Sequence, residues 1–213
     1  MIDSKTKLKV KIKKKLELAR ENRQPPNLRL LSRMLRLEKL LKCSVVNFKN
    51  KQITLSSGRK SSIFFNCKPT LYTTEGQFLV GHVINQFLVD QNIKAIGGPA
   101  RGADPIALAA CTMSNFYKNK LNAFSVNLGE VSKDCGIDDA FCGFVFRKDN
   151  VIVIDDVLTT GNSLRDTILI CEAKGLIIKK IIVLIDRQEG GKEVLETLGY
   201  TVQSLYTARQ LVS

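Results

Sequence analysis

The sequence predicts an α/β domain built on a mostly parallel sheet, and three observations carry that prediction. The chain of 213 residues is 44% hydrophobic and 25% charged, enough apolar material for one substantial core and too much for a disordered tail. After Glu75, helical patterns alternate with short apolar runs, the mark of βαβ units. One of those runs, Val151-Ile152-Val153-Ile154, is apolar at every position, as a strand covered on both faces must be, and it ends on Asp155 and Asp156.

The elements follow in chain order. Residues 4–15 contain no acid and alternate Lys with aliphatics (Lys7-Leu8-Lys9-Val10-Lys11-Ile12-Lys13), a pattern shared by strands, helices and basic arms, so no conformation is assigned. Pro25-Pro26 breaks the chain, and Asn27 reads as the N-cap of a helix carrying Leu28, Leu31 and Leu35 with Leu30, Met34, Leu37 and Leu41. Short β runs are expected at 45–48, 52–55 and 63–65, with turns at Asn50-Lys51 and Ser57-Gly58. The alternating part then predicts helices at 75–90, 102–118, 163–174 and 192–198, and strands at 94–96, 123–126, 151–154, 180–185 and 202–205. With no repeat and no Gly/Ser linker, the organisation is a basic extension (1–26) followed by one domain (27–213) with a hood of about 27–70 plus a C-terminal segment.

Charge is distributed unevenly. Residues 1–42 hold nine Lys and five Arg against four acids, a net +10 of the chain's +13. The positive balance therefore belongs mostly to the N-terminal 42 residues, the other 171 carrying a net of only +3. Residues 1–42 contain no aromatic residue for base stacking, so two readings stay open: a contact with nucleic-acid phosphates, or a solvated or subunit-packing arm. Lys dominates over Arg and serines are few, which argues against a transit peptide. No apolar run is long enough to span a membrane, and the basic start is not followed by a signal-peptide core. The expectation is a soluble, cytoplasmic protein without a membrane partner. Six cysteines lie scattered without a CxxC pair, and His82 is the single histidine, so neither a zinc site nor a disulfide framework is expected. His82 itself reads as a partly exposed helix residue without a role.

The chemistry concentrates after the 151–154 strand, where Asp155-Asp156-Val157-Leu158-Thr159-Thr160-Gly161-Asn162-Ser163 opens a helix. Ligands of open α/β sheets bind at the carboxyl edge of the strands, which is where this segment lies. Exposed amides of the turn, the positive end of the helix dipole and three hydroxyls (Thr159, Thr160, Ser163) make an anion cradle suited to phosphate. Two acids beside a bound phosphate would repel it. They are better placed to accept hydrogen bonds from sugar hydroxyls or to organise a hydrated divalent cation. Neither a Walker loop nor a GxGxxG turn is present.

This segment resembles the phosphoribosyl-pyrophosphate (PRPP) motif of type I phosphoribosyltransferases. Ile53-Thr54-Leu55-Ser56-Ser57-Gly58-Arg59-Lys60-Ser61 running into Phe64-Phe65-Asn66-Cys67-Lys68 is similar to the hood of the orotate phosphoribosyltransferases. So are Gly97-Gly98-Pro99-Ala100-Arg101-Gly102-Ala103-Asp104-Pro105 and Ile185-Asp186-Arg187-Gln188-Glu189-Gly190-Gly191. The resemblance spans about residues 40–210 and implies the type I phosphoribosyltransferase fold, with a mostly parallel central sheet flanked by helices, an N-terminal hood and a basic helical extension. It implies transfer of phosphoribose from PRPP to orotate, giving orotidine 5'-monophosphate and pyrophosphate in pyrimidine biosynthesis, with Mg²⁺ held mainly by PRPP and water and with no direct protein ligand. Asp155 and Asp156 would bind the ribose hydroxyls, and Val157, Leu158, Thr159, Thr160, Gly161, Asn162 and Ser163 would surround the 5-phosphate. Arg101 would face the pyrophosphate, while Arg187, Thr159, Phe64 and Phe65 would form the orotate site, a guanidinium matching a planar carboxylate bidentately. Family members are homodimers whose cationic loop acts across the interface.

That loop departs from the family. Where relatives carry roughly Val-Arg-Lys-x-x-Lys-x-His-Gly, this chain reads Val126-Asn127-Leu128-Gly129-Glu130-Val131-Ser132-Lys133-Asp134-Cys135-Gly136. Asn127 and Leu128 stand in place of Arg-Lys, Cys135 in place of His, and Lys133 alone matches as a catalytic and PRPP-binding cation. Charge that neutralises departing pyrophosphate stabilises the transition state beyond the ground state, and each missing contact costs on the order of 3 kcal/mol. Three readings follow: an active orotate phosphoribosyltransferase, a catalytically impaired PRPP-binding regulator or nucleic-acid-binding paralogue, and an enzyme for another acceptor.

Overall fold

The central sheet has six strands, in the order β10-β9-β8-β5-β6-β7, within a computed structural model that describes residues 28–48, 53–54, 60–88, 91–117, 119–129 and 140–212. β5 (Ala95–Pro99), β6 (Asn122–Val126), β8 (Asn150–Leu158), β9 (Ile177–Asp186) and β10 (Val202–Thr207) run parallel, and β7 (Phe141–Gly143) closes the edge antiparallel to β6. Alternation along β8 explains the two layers. Ile152 and Ile154 face one core with Ile182 and Leu184, whereas Val151 and Val153 face the other with Ile181 and Val183.

The first core holds α1 (Leu28–Lys42), α3 (Thr74–Phe87) and α4 (Asp104–Ser114) against the sheet. The two helices α3 and α4 approach closely: a Cβ at Gly81 would meet the Ala109 carbonyl oxygen at 2.5 Å. Asn85 Nδ2 donates to the carbonyls of Gly81 and Ala110, both at 2.8 Å, tying the pair together. The amphipathic α1 buries Leu37 and Leu41, and Tyr206 of β10 donates to its Met34 carbonyl at 2.7 Å. The second core lies under α5 (Asn162–Ala173), which contributes Leu164, Ile168 and Cys171.

The hood consists of two hairpin-like pairs. β1 (Val45–Asn47) pairs antiparallel with β4 (Ile63–Phe65), and β2 (Ile53–Thr54) with β3 (Lys60–Ser61). A single turn, α2 (Lys68–Leu71), leads from the hood into α3 through Thr73, whose side chain caps Gly76 N–H at 3.0 Å. α6 (Gly191–Thr197) connects β9 to β10, and α7 (Ala208–Val212) ends the described chain.

Every helix and strand expected after Glu75 is present, with differences that have physical causes. β8 and β9 outrun their apolar runs because their ladder continues from Asn150–Ile177 to Leu158–Asp186 whatever the side chains. The helix expected over 102–118 ends at Ser114 and continues as a 3₁₀ turn, Asn115–Tyr117. β7 and α7 were not expected; three residues stacking Phe141 on Phe124 at 5.2 Å carry too little pattern to read. Residues 1–26, Asn27 and the turns at Asn50-Lys51 and Ser57-Gly58 lie outside the described residues.

His82 is a correction. It is only 8% exposed, because Phe78 on its own helix and Phe116 and Tyr117 after α4 enclose the ring, with Tyr117 Oη at 2.8 Å from Nδ1. Burial, and then the charge of Arg33, pull its pKa below the usual imidazole value of 6.5. The unfolded chain therefore takes up the proton first as pH falls. Stability attributable to His82 is complete above 6.5 and is lost on acidification through the folded value. Urea unfolding between about pH 8 and pH 5 should show this loss, and H82Q should show a shallower one.

Candidate active site

The site begins where two strands part. β5 pairs with β8 only as far as Gly97–Val153, although β8 continues beside β9 to Leu158. The chain order also reverses here, since β6 lies on one side of β5 and β8 on the other, and ligands of open α/β sheets bind at this kind of switch point. Asp155 and Asp156 stand in the opening. The Asp156 N–H donates to Asp155 Oδ1 at 2.8 Å, and the loop after β5 presses on both acids. A Cβ at Gly102 would sit 2.6 Å from Asp156 Oδ1 and 3.0 Å from Asp155 Oδ1, so only glycine lets the backbone pass there.

Removal from water raises the pKa of both carboxyls. For Asp155 the charge of Asp156 adds to that burial, and for Asp156 the nearby Lys68 pulls the other way. Cys67, at the start of α2, feels the same charges. Its thiol is pushed up by burial first and by Asp156 and Asp155 next. The hood therefore closes over the acids with a neutral thiol and a lysine.

Beyond the acids the chain folds into a cradle. Gly161, at φ 84, caps α5, and no side chain caps the helix, so its first amides face the turn and offer themselves to an anion. A cavity of about 60 Å³ is lined there by the 157–163 turn, with Asp155 beneath it. Gly191 N–H donates to Thr159 O and Arg187 N–H to Leu158 O, both at 2.9 Å, which fixes the turn to the strand beside it. Leu158 is 1% exposed and reaches the cradle by its backbone.

A second cavity of about 280 Å³ shares Asp155, Val157, Thr159 and Ser163 with the first, and its far wall is Phe64, Phe65 and Arg187, with Pro99, Ala100 and Gly102 on the near side. Arg187 lies with its guanidinium carbon 5.6 Å from the Phe65 ring centroid. The cleft thus has an amide-rich end for phosphate, an acidic middle and a cationic, aromatic end.

No family model matches the chain. Orotate phosphoribosyltransferase of Aquifex aeolicus (strain VF5) is 32% identical over 158 residues, covering 74% of this chain and 85% of that protein. The enzyme of the same name from Rhodopseudomonas palustris (strain TIE-1) is 30% identical over 169 residues, covering 78% and 90%. The chain belongs to the orotate phosphoribosyltransferase family. The fold agrees: Mycobacterium tuberculosis orotate phosphoribosyltransferase superposes with a TM-score of 0.70 at 25% identity over 84% of this chain and 98% of that one. Leishmania donovani UMP synthase superposes at 0.69 with 26% identity, over 83% of this chain and 37% of that one.

Set against the family's motifs, the structure gathers Asp155, Asp156, Val157, Thr159, Ser163, Phe64, Phe65 and Arg187 around one cavity, and Thr160, Gly161 and Asn162 around the adjoining cradle. Arg101 is exposed between Ala100 and Gly102 and does not line the cavity. Lys133 and Cys135 lie outside the described residues, but the root of their loop is visible. Asn127 N–H donates to Ala140 O and Ala100 N–H to Val126 O, both at 2.8 Å, which places Val126, at the end of β6, beside Ala100 of the cleft. Lys68, Cys67 and the Gly102 contact were not singled out from the sequence. Their signal lay in the quoted Asn66-Cys67-Lys68 and Gly-rich segments, which carry no charge pattern of their own.

The raised acids yield a test with a sign. A carboxyl whose folded pKa exceeds its unfolded value costs stability when ionised at neutral pH. D155N keeps the oxygen that accepts from Asp156 and removes the buried charge. It should raise the melting temperature by about 2–4 °C while abolishing PRPP binding, as read by thermal unfolding and calorimetry. A lower melting temperature would contradict the assigned burial cost.

Proposed function

We propose that this chain transfers the 5-phosphoribosyl group of PRPP to orotate, forming the bond between ribose C1 and orotate N1 as the bond from C1 to pyrophosphate breaks and the N1 proton is released to water. One observation carries the proposal: a phosphate cradle, an acid pair and an Arg–Phe wall are joined in one cleft in the order that phosphate, ribose and base take in the product. The names of its relatives support it, and the M. tuberculosis enzyme has been solved with PRPP. They do not favour the impaired regulator as the principal reading.

The turn at 159–163 and the α5 amides would hold the 5-phosphate, and Asp155 and Asp156 would accept from the ribose hydroxyls. Negative charge beneath the ring also opposes the positive charge that builds at C1 as pyrophosphate departs. Phe64 and Phe65 would cover the base while Arg187 holds its carboxylate. Among the described residues no group of three or more His, Cys, Asp or Glu could hold a metal ion by itself. Asp155 and Asp156, side by side in the cleft, would accept from the waters of a Mg²⁺ carried by pyrophosphate. When bound, the ion supplies charge neutralisation to the leaving group. Arg101 at the rim and Lys133 from the loop would add to it.

The proposal extends to a homodimer, to be read from the mass in solution, and to a cytoplasmic location, to be read by cell fractionation. Arg29, Arg36 and Lys39 lie exposed along α1, which extends the basic segment onto the folded body. If this face meets nucleic acid, its affinity falls steeply with salt; weak, salt-independent binding would exclude it.

Calorimetric titration of PRPP with Mg²⁺, followed by orotate consumption read from absorbance, tests the activity. R187A should weaken orotate affinity by about a hundredfold and leave PRPP affinity largely intact. Equal loss of both would overturn the assigned roles.

A further inference from the structure

We propose that Glu189 is a positioning residue that fixes the guanidinium of Arg187 for the acceptor carboxylate, an inference that rests on the function proposed above. Arg187 Nε meets Glu189 Oε1 at 2.9 Å, with the two side chains 7% and 20% exposed. That separates it from the other ion pairs near the surface, such as Arg36–Glu75, whose partners are 52% and 45% exposed. Exposed pairs contribute little, whereas a largely desolvated one holds its geometry.

The placement of the two residues shows which of them meets substrate. Arg187 and Phe65 line the cavity that contains Asp155 and Thr159. They also line a separate cavity of about 460 Å³, and Glu189 lines that cavity but not the first. Glu189 therefore stands behind the guanidinium with respect to the substrate. Glu189 takes the Nε edge, which fixes the plane in which the guanidinium lies beside the cavity. The Phe65 ring centroid lies 5.6 Å from its central carbon, and the Arg187 amide is tied to Leu158 O at 2.9 Å.

The turn is built to return Glu189 to this point. Asp186 Oδ1 accepts from Gln188 N–H at 2.7 Å. Gln188 holds φ 59 and Gly190 φ 94, so the backbone twice enters the left-handed region in three residues. A non-glycine residue there is uncommon and persists where the surroundings impose it. Without the reversal, the chain leaving β9 would carry Glu189 away from its neighbour's side chain.

The charge balance of the cleft requires the same residue. A guanidinium that is 7% exposed needs a counter-charge before substrate arrives. Glu189 supplies it on the side where it does not obstruct the pocket. An acceptor base with a carboxylate then adds a second anion to an oriented cation, while a neutral base gains nothing from it.

Steady-state kinetics of the full chain with PRPP, Mg²⁺ and orotate tests the proposal. E189A should raise KM for orotate about tenfold and leave KM for PRPP within about twofold, because only one end of the cleft loses its orientation. E189Q keeps an oxygen for Nε but loses the counter-charge, and should bring the orotate KM to a value between those of E189A and the wild type. A general structural role would move both KM values together, and that result overturns the proposal, as does an unchanged orotate KM in E189A or an E189Q as poor as E189A. Wild-type protein that binds PRPP without consuming orotate would instead overturn the functional reading itself. Turnover in the wild type with an unaffected E189A would overturn only the role of Glu189.

Discussion

Two carboxylates held out of water at the end of β8 set the terms for everything around them. Asp155 is 8% exposed, and its neighbour in sequence is a second acid. An ordinary core would expel such a pair, because each charge loses hydration and repels the other. This fold retains it by ending the β5–β8 ladder early and by passing a glycine over the acids where any side chain would collide. Lys68 at the head of α2 offsets part of the charge on Asp156, and the hood places beside it a buried thiol whose pKa the acids raise further. The cleft is thus a region of electrostatic cost that polyhydroxylated ligands and hydrated cations relieve.

Positive groups are distributed to match. At one end the positive charge is partial and comes from backbone amides of α5, which suits an anion that must be bound without being pulled toward the acids. At the other end it is a full guanidinium, partly satisfied from behind and flattened against Phe65. A ligand with phosphate at one end, hydroxyls in the middle and a planar carboxylate at the other meets a complementary group at each position. The spacing between them is set by β8 and β9, whose shared ladder from Asn150 to Leu158 makes Asp155, the cradle and Arg187 parts of one rigid ribbon.

How much of this was legible in the sequence depends on how local each feature is. The acid pair and cradle were readable because strand, acids, turn and helix follow one another within 13 residues, and each obeys a local rule. The parallel sheet was readable from the apolar run at 151–154. His82 was misread, since the residues that bury it include Phe116 and Tyr117 on a turn more than 30 positions away. Gly102 and Lys68 are assigned by the approach of three separate segments, which no spacing encodes. Arg187 could be named from resemblance, but its partner could not, because the left-handed turn that returns Glu189 has no sequence rule with Gln at its first strained position.

The altered loop can be understood from the same division of labour. Its root is the β6–β7 pair, anchored by Val126 opposite Phe141 and by the Ala100 amide on Val126 O. The phosphate cradle and the Arg–Phe wall belong to β8, β9 and the hood, and share no hydrogen bond with that root among the described residues. On the proposed function, the residues at Asn127 and Leu128 would alter the charge near the leaving group without touching the cradle or the Arg–Phe wall. Binding and leaving-group stabilisation would then fall to separate parts of the sheet edge, so that a sequence could keep the first while revising the second. On the proposed function, charge developing on the leaving group would then have to be neutralised by whatever other groups reach it.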